Sequence, residues 1–557
     1  MQSPITEESN DLSTTIDDVD TIEIVNILQN CDKEIFSGWK KYKSDSIFSP
    51  NIIQTISNLS KVISDIVSSD EKICIVISGC GTSGRISFLV SRFFQDRINR
   101  DNLKIRYIIA GGDLALFTPQ EAPEDDPKKG KNCLLKATEG FNKVIFIGVT
   151  CGLSAPFVAG QLDYCLNNTD KFIPVLIGFN PINLARNSKI EDWDKTFLNV
   201  AERMAEYSQN GLAFVVNPIV GPEPITGSSR MKSGTATIIL LYTILATALN
   251  ENNINRETLI EKALKEAEKA NALAYTQKSP IAKGINICGE ALNREGRICY
   301  VGKELVGFMG LMDASECVPT FGADIYDIFG YVKNGYKFLN NVEGDLSFKA
   351  DISLEYFIQF VAPKLTAYDV IVFLTPDKIT VNSLNGCPAK KILITFSKDD
   401  LDINLLEFSV VINLPIGNFD NANSWTMQLV IKAVCNALST GAHIMKGKVY
   451  KNRMIDVRVS NNKLFFRSLN LIKTFGKCND EMAKECLLKA IYEVNSLNQE
   501  ILSLPISSHI EKATAMGKVV PTAIIICLTN CSSEEAKSML QETPMIRHAI
   551  RLLCNKR

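Results

Sequence analysis

Short, uninterrupted runs of β-branched and apolar residues recur along the chain, each followed by a turn and a stretch with helical periodicity. ICIVIS (73–78), KIRYIIAGG (104–112), KVIFIGVT (143–150), PVLIGFN (174–180) and AFVVN (213–217) are runs of this kind. A strand that is apolar on both faces must be covered on both, which requires a parallel sheet with helices above and below. The first half is therefore expected to be a doubly wound α/β domain. A helical region follows over 229–293, where ETLIEKALKEAEKANALAY carries good helix formers and an apolar stripe. The rhythm then restarts with ICYVGKELVGFMGLMDASE (298–316), DVIVFLT (369–375), KILITF (391–396) and FSVVINL (408–414). Two α/β domains of one type are expected, as in a divergent internal duplication. From residue 426 the pattern is helical again and predicts an all-helical cap. The expected division is a helical leader (1–50), a first domain (51–255), a second domain (256–440) and the cap (441–557).

Composition excludes several function classes. Sixty Lys+Arg against 62 Asp+Glu leave a net charge of -2, which gives no support for bulk attraction to nucleic acid or membrane. The polar start MQSPITEESN does not read as a secretory signal, and runs such as VIFIGV are too short to span a bilayer. Sixteen cysteines without a C-x-x-C pair, several inside apolar strands, suit reduced thiols in the cytoplasm, or in the nucleus. Three histidines without clustered partners make a zinc site unexpected, and no metal or cofactor is expected.

The stretch SGCGTSGR (78–85) joins a strand to a helix and contains Gly79, Gly81 and Gly84 as G-x-G-x-x-G. Backbone N–H groups at such a turn favour an anion, and the hydroxyls of Thr82 and Ser83 can donate to phosphate oxygens. A dinucleotide site wants a carboxylate at the end of the next strand, but there the sequence reads AGGD, with Asp113 behind two glycines. A tight turn without a ligand is the alternative, because the glycine pattern alone is weak. Two further turns are rich in hydroxyls. GVTCGLSAP presents Thr150 and Ser154 around Gly152, and GSSRMKSGTA presents Ser228, Ser229 and Arg230 at the start of a helix. Serine at a helix start is commonly an N-cap. Three such turns at the strand ends of one sheet point instead to a shared phosphate.

GCGTSGR, AGGD, GLSAPFVAGQ and GPEPITGSSRMKSGTA resemble the sugar isomerase (SIS) family of phosphosugar-binding domains. Within it they are similar to the glucokinase regulatory protein family and to the related N-acetylmuramic acid 6-phosphate etherases. ITEESN with IDDVDTIEIVNILQNCDKEIF, and STGAHIMKGKVYKNRMIDVRVSNNKLFFR (439–467), extend the resemblance over nearly the whole chain. The first domain keeps GCGTSGR. The second has lost the phosphate loop (GKELVGFMG) but keeps DASECVPTFGAD (313–324). One composite site between the halves is therefore expected, in a monomer that is an internal pseudo-dimer.

The resemblance implies a regulator that binds fructose 6-phosphate or fructose 1-phosphate and acts on a glucokinase or hexokinase-type enzyme. The alternative is an etherase releasing lactate, with Glu124 and Glu316 as acid and base. An aldose–ketose isomerase is a third reading, without a well-placed histidine. The implied binding set is Gly81, Thr82, Ser83, Glu124, Thr150, Gly152, Ser154, Ser228, Ser229, Arg230, Glu316, Asn461 and Lys463, with Glu121 and Arg186 as weaker candidates. Without the resemblance, Glu124 reads as a solvated acidic turn and Lys463 as an exposed helix lysine. VVINLPIGNFDNANSW (410–425) is shorter and more polar than the stretch that the resemblance associates with partner docking.

Overall fold

The computed structural model describes residues 4–42, 45–120, 122–190, 192–252, 254–396, 407–415, 425–460 and 462–555. The five runs of the first half pair in parallel as β1 (Ile73–Gly79), β2 (Leu103–Ile109), β3 (Lys143–Val149), β4 (Phe172–Ile177) and β5 (Phe214–Val216), in the order β2-β1-β3-β4-β5. A second sheet contains β6 (Ile298–Gly302), β7 (Ile328–Val332), β8 (Val370–Leu374), β9 (Lys390–Thr395) and β10 (Val410–Asn413), in the order β7-β6-β8-β9-β10. Counted within each sheet, both orders are 2-1-3-4-5, so the duplication extends to topology. In such a sheet the ligand crevice opens where the order reverses, between the first and third strands.

Strand β7 has no counterpart among the runs expected from the sequence. Gly330 interrupts its apolar pattern, and a Cβ there would collide with the backbone of Leu311. The strand needs a glycine because a helix lies directly on it, and that glycine makes the sequence look like a turn.

The helices of the first half are α1 (Thr21–Ser37), α2 (Pro50–Val67), α3 (Gly81–Gln95), α4 (Pro127–Ala137), α5 (Pro156–Leu166) and α6 (Phe197–Gln209). Next come α7 (Lys232–Ala248), α8 (Arg256–Ala274), α9 (Lys278–Asn293) and α10 (Glu304–Phe321). One apolar cluster joins α1, α2, the inner faces of both sheets, α7 to α10 and the helix Trp425–Met445. The outer face of each sheet has its own smaller cluster, and the C-terminal helices have another. The two α/β domains thus share a core. The leader is tied to the cap by Arg547, which donates to both carboxylate oxygens of Asp17 at 2.6 and 3.1 Å.

His443, in the helix Trp425–Met445, is fully buried and stacks on Phe321 with ring centroids 4.4 Å apart. Its Nδ1 donates to the Ser439 carbonyl at 2.7 Å. Burial holds its pKa down to about 3, while a histidine in an unfolded chain titrates near 6.5. In acid the unfolded chain takes up this proton first. The contribution is therefore whole above about pH 6.5 and is lost as pH falls towards about 3, by up to ~1.4 kcal/mol per pH unit. His443→Gln should flatten the stability–pH curve between pH 6 and pH 4 in urea titrations. An unchanged slope would assign the acid sensitivity to other groups.

Candidate functional site

Strand β1 ends at Gly79 and α3 begins at Gly81, whose φ of +48° lies in the left-handed region that favours glycine. A Cβ at Gly79 would lie 2.7 Å from Ser83, and one at Gly84 would collide with Ile109 of β2. The glycines therefore serve a turn and a close strand–helix approach. The N-cap residue of α3, Cys80, makes no side-chain hydrogen bond to the start of the helix. The first N–H groups of a helix have no partner within it, so this turn offers donors to an anion. Thr82 and Ser83 are almost buried there, and the Ser83 hydroxyl lies 3.5 Å from Cys151 Sγ.

The other two helix starts are already capped. Thr150 Oγ1 accepts the N–H groups of Ser154 and Ala155 at 3.2 and 3.4 Å, ahead of α5. The buried Glu223 carboxylate accepts those of Lys232 and Ser233 at 2.8 and 3.0 Å, at the start of α7. Burial holds the Glu223 carboxyl above the usual range, and these bonds oppose that shift. The third turn still packs on the first: a Cβ at Gly234 would lie 3.3 Å from Thr82 Cγ2, and also 3.3 Å from the carbonyl of Ser229. Ser228 Oγ lies 3.4 Å from Thr320 Oγ1 of α10. Gly152 is half-buried, and Ser154 is exposed beside it.

Both candidate carboxylates approach α3. Glu124 Oε1 lies 3.4 Å from the Cβ position of Gly81. Burial raises the Cys80 thiol pKa, and Glu124 and Asp125 raise it further. Glu316, on α10, forms a buried ion pair with Arg85, the last residue of the glycine-rich stretch. Arg85 Nε also donates to the Leu116 carbonyl at 3.2 Å. Arg186 sits half-exposed at the rim, donating to Asp125 at 3.2 Å and to the Ser154 carbonyl at 3.4 Å.

Arg230 is expected among the ligand contacts, but its guanidinium is engaged elsewhere. It donates to Asp313 at 2.7 Å, Ser439 at 3.2 Å and Thr440 at 2.6 Å, and is 2% exposed. Its charge locks the first domain to α10 and to the helix Trp425–Met445. Asp113 is likewise occupied. It accepts from Tyr107 Oη at 2.6 Å, Asn341 Nδ2 at 2.9 Å and the Glu343 N–H at 2.6 Å. A ribose would have to displace this clasp from the second domain, so the dinucleotide reading lacks its carboxylate. Asn461, Glu121 and the side chain of Lys463 lie outside the described residues.

The second domain keeps the turn without its chemistry. Glu304 opens α10 with φ +53°, close to the +48° of Gly81, although it is not glycine. The cavity beside it measures about 290 Å³, and Lys333 and Asp377 form an ion pair of 2.8 Å in its lining.

The leader supplies residues that sequence reasoning missed. The Thr6 N–H donates to Asn180 Oδ1 at 3.4 Å, and Asn180 Nδ2 donates to the Gly152 carbonyl at 3.0 Å. Glu7 Oε2 lies 2.9 Å from the Cβ position of Gly227. Burial raises the Glu7 pKa, opposed by Arg467 and Arg453 from the C-terminal region. ITEESN was visible in the sequence, but nothing local indicates that it reaches the second and third turns.

Residues 58–166 match the glucokinase regulatory protein N-terminal SIS domain, 275–387 its second SIS domain and 451–550 its C-terminal lid domain. The chain is 36% identical over 574 residues to the glucokinase regulatory protein of Rattus norvegicus, covering 98% of this chain and 92% of that protein. The chain belongs to the glucokinase regulatory protein family. Identity to the Homo sapiens protein is 35% over 583 residues, with the same two coverages of 98% and 92%. An N-acetylmuramic acid 6-phosphate etherase of Escherichia coli O1:K1 / APEC is 28% identical over 309 residues, 53% of this chain and 93% of that enzyme. The C-terminal helices are thus the family's lid. Across the two SIS domains, α10 of the second stands against the glycine-rich turn of the first, through the Arg85–Glu316 pair.

Proposed function

We propose that this protein is a fructose-phosphate-binding regulator of a glucokinase or hexokinase-type enzyme, with one composite sugar-phosphate site. The observation that carries the reading is the glycine turn that opens α3, set among hydroxyls and acids from both domains. The ligand's terminal phosphate takes the amides of the Gly81–Ser83 turn and the hydroxyls of Thr82 and Ser83. Ser229, on the third turn, faces the same phosphate. The sugar hydroxyls meet Glu124, with Glu316, Asn461 and Lys463 closing the site from the second domain and the lid. One chain supplies both halves, so a monomer suffices. A ligand can shift the domain arrangement only by binding one arrangement better than another, and a site shared by first domain, second domain and lid provides that difference. The partner kinase comes from the family's name. Of the polar 410–425 segment, residues 416–424 lie outside the described residues. The sixteen free cysteines suit the cytoplasm or the nucleus.

Ser83→Ala should weaken fructose 6-phosphate or fructose 1-phosphate binding roughly 10-fold, the worth of one hydrogen bond to a charged group. Thermal-shift titration reads this, and NAD should give no shift. Release of lactate from N-acetylmuramic acid 6-phosphate, lost in Glu124→Ala, would replace the regulator by an etherase with Glu124 and Glu316 as acid and base. Stabilisation by NAD and none by sugar phosphates would remove both readings.

A further inference from the structure

Three thiols meet at the edge of the lid core. The helix Asn462–Gly476 is followed by Cys478, on the linker into the helix Asp480–Tyr492, which carries Cys486. Cys527 comes from the helix Val519–Thr529. Its Sγ lies 3.7 Å from Cys478 Sγ, and Cys486 is close enough to raise its pKa. Gly476 makes room for the meeting: a Cβ there would overlap Cys527 Sγ and lie 3.3 Å from Cys478 Sγ. Cys486 is buried, whereas Cys478 and Cys527 are both half-buried and open to a small reagent.

We propose that Cys478 and Cys527 are a redox-modification site that closes to a disulfide by exchange with a low-molecular-weight disulfide such as oxidised glutathione. The two sulfurs are already in contact, and a bond needs them at about 2.05 Å. Cys478 sits on a short linker that opens with Lys477 at φ +48°, so the remaining approach falls on a connection and not on a helix. Cys478 is the entry thiol. Its thiolate attacks one sulfur of oxidised glutathione, forming a mixed disulfide and expelling one glutathione thiolate. Cys527 then gives its proton to solvent and attacks the Cys478 sulfur, expelling the second glutathione. The protein loses two thiol hydrogens, and one glutathione disulfide is reduced to two thiols. Burial, and then the neighbouring sulfurs, push the Cys527 thiol pKa up, so the second step sets the pace and the exchange is slow. The bond would tie the end of one lid helix to another across 49 residues of chain, constraining the unfolded lid. The proposal stands apart from the sugar-phosphate reading.

The test incubates the full chain with oxidised glutathione, alkylates the remaining thiols and maps the peptides by mass spectrometry. The expected result is a linked Cys478–Cys527 pair, two hydrogens lighter, and a melting temperature raised by roughly 5 °C. Both should reverse with dithiothreitol and be absent in Cys478→Ser and in Cys527→Ala. Glutathione left on Cys478 as a stable mixed disulfide would overturn the proposal. So would a Cys486–Cys527 link, or reaction confined to the exposed Cys554.

Discussion

Arg230→Met is expected to destabilise the protein by about 3–5 kcal/mol, because it strands a buried carboxylate. Asp313 is 3% exposed and accepts hydrogen bonds from Arg230 at 2.7 Å, Asn436 at 2.6 Å, Ser439 at 3.1 Å and Tyr300 at 3.0 Å. Only the first of these donors carries a charge. Lys432 is nearby but does not replace it: its Nζ donates to the carbonyls of Arg230 and Met231, to Thr235 and to Asn436. Burial holds the Lys432 pKa down to about 8, so adding more unpaired charge to this knot is already unfavourable. The knot joins the start of α7, α10 and the helix Trp425–Met445, so its loss should loosen the seam between the domains. Arg230→Met with Asp313→Leu removes both charges and should recover most of the loss. Urea titration of the two single variants and the double variant gives the coupling. If the double variant loses the sum of the single losses, the ion pair is not the source.

What the sequence makes legible depends on whether the signal is local. The strand runs are legible because a strand buried on both faces leaves an unbroken apolar stretch, as in ICIVIS. The glycine-rich turn is legible because its glycines and hydroxyls lie within eight residues. Strand β7 is not, because Gly330 answers to the helix lying on it. The use of each hydroxyl is also hidden. Thr150 and Ser83 both lie just beyond a strand, yet Thr150 stands ahead of α5 and caps its own turn, while Ser83 is already inside α3 and lies 3.5 Å from Cys151 Sγ. An N-cap and a phosphate ligand have the same sequence signature. Glu223, which closes the start of α7, lies nine residues before Lys232 in a stretch without regular spacing. Arg230 and Asp313 are 83 residues apart, and Thr6 and Asn180 are 174 apart. Such pairs are fixed by the packing of the domains and by no pattern along the chain.

Ser83→Asp should abolish the response to fructose phosphates while leaving the ligand-free fold nearly as stable. Ser83 is the third residue of α3 and 6% exposed, so a carboxylate there stands where the proposed phosphate binds. Two like charges about 4 Å apart repel by roughly 4 kcal/mol at an effective dielectric constant near 20, which is about a thousand-fold in Kd. The fold responds differently to the same charge. A negative group in the first turn of a helix interacts favourably with the helix dipole, which offsets its partial burial. Ser83→Asn, equal in size and neutral, separates charge from bulk and should retain a weakened response. Equal loss in the two variants would mean that size alone closes the site. Undiminished binding by Ser83→Asp would move the phosphate away from α3.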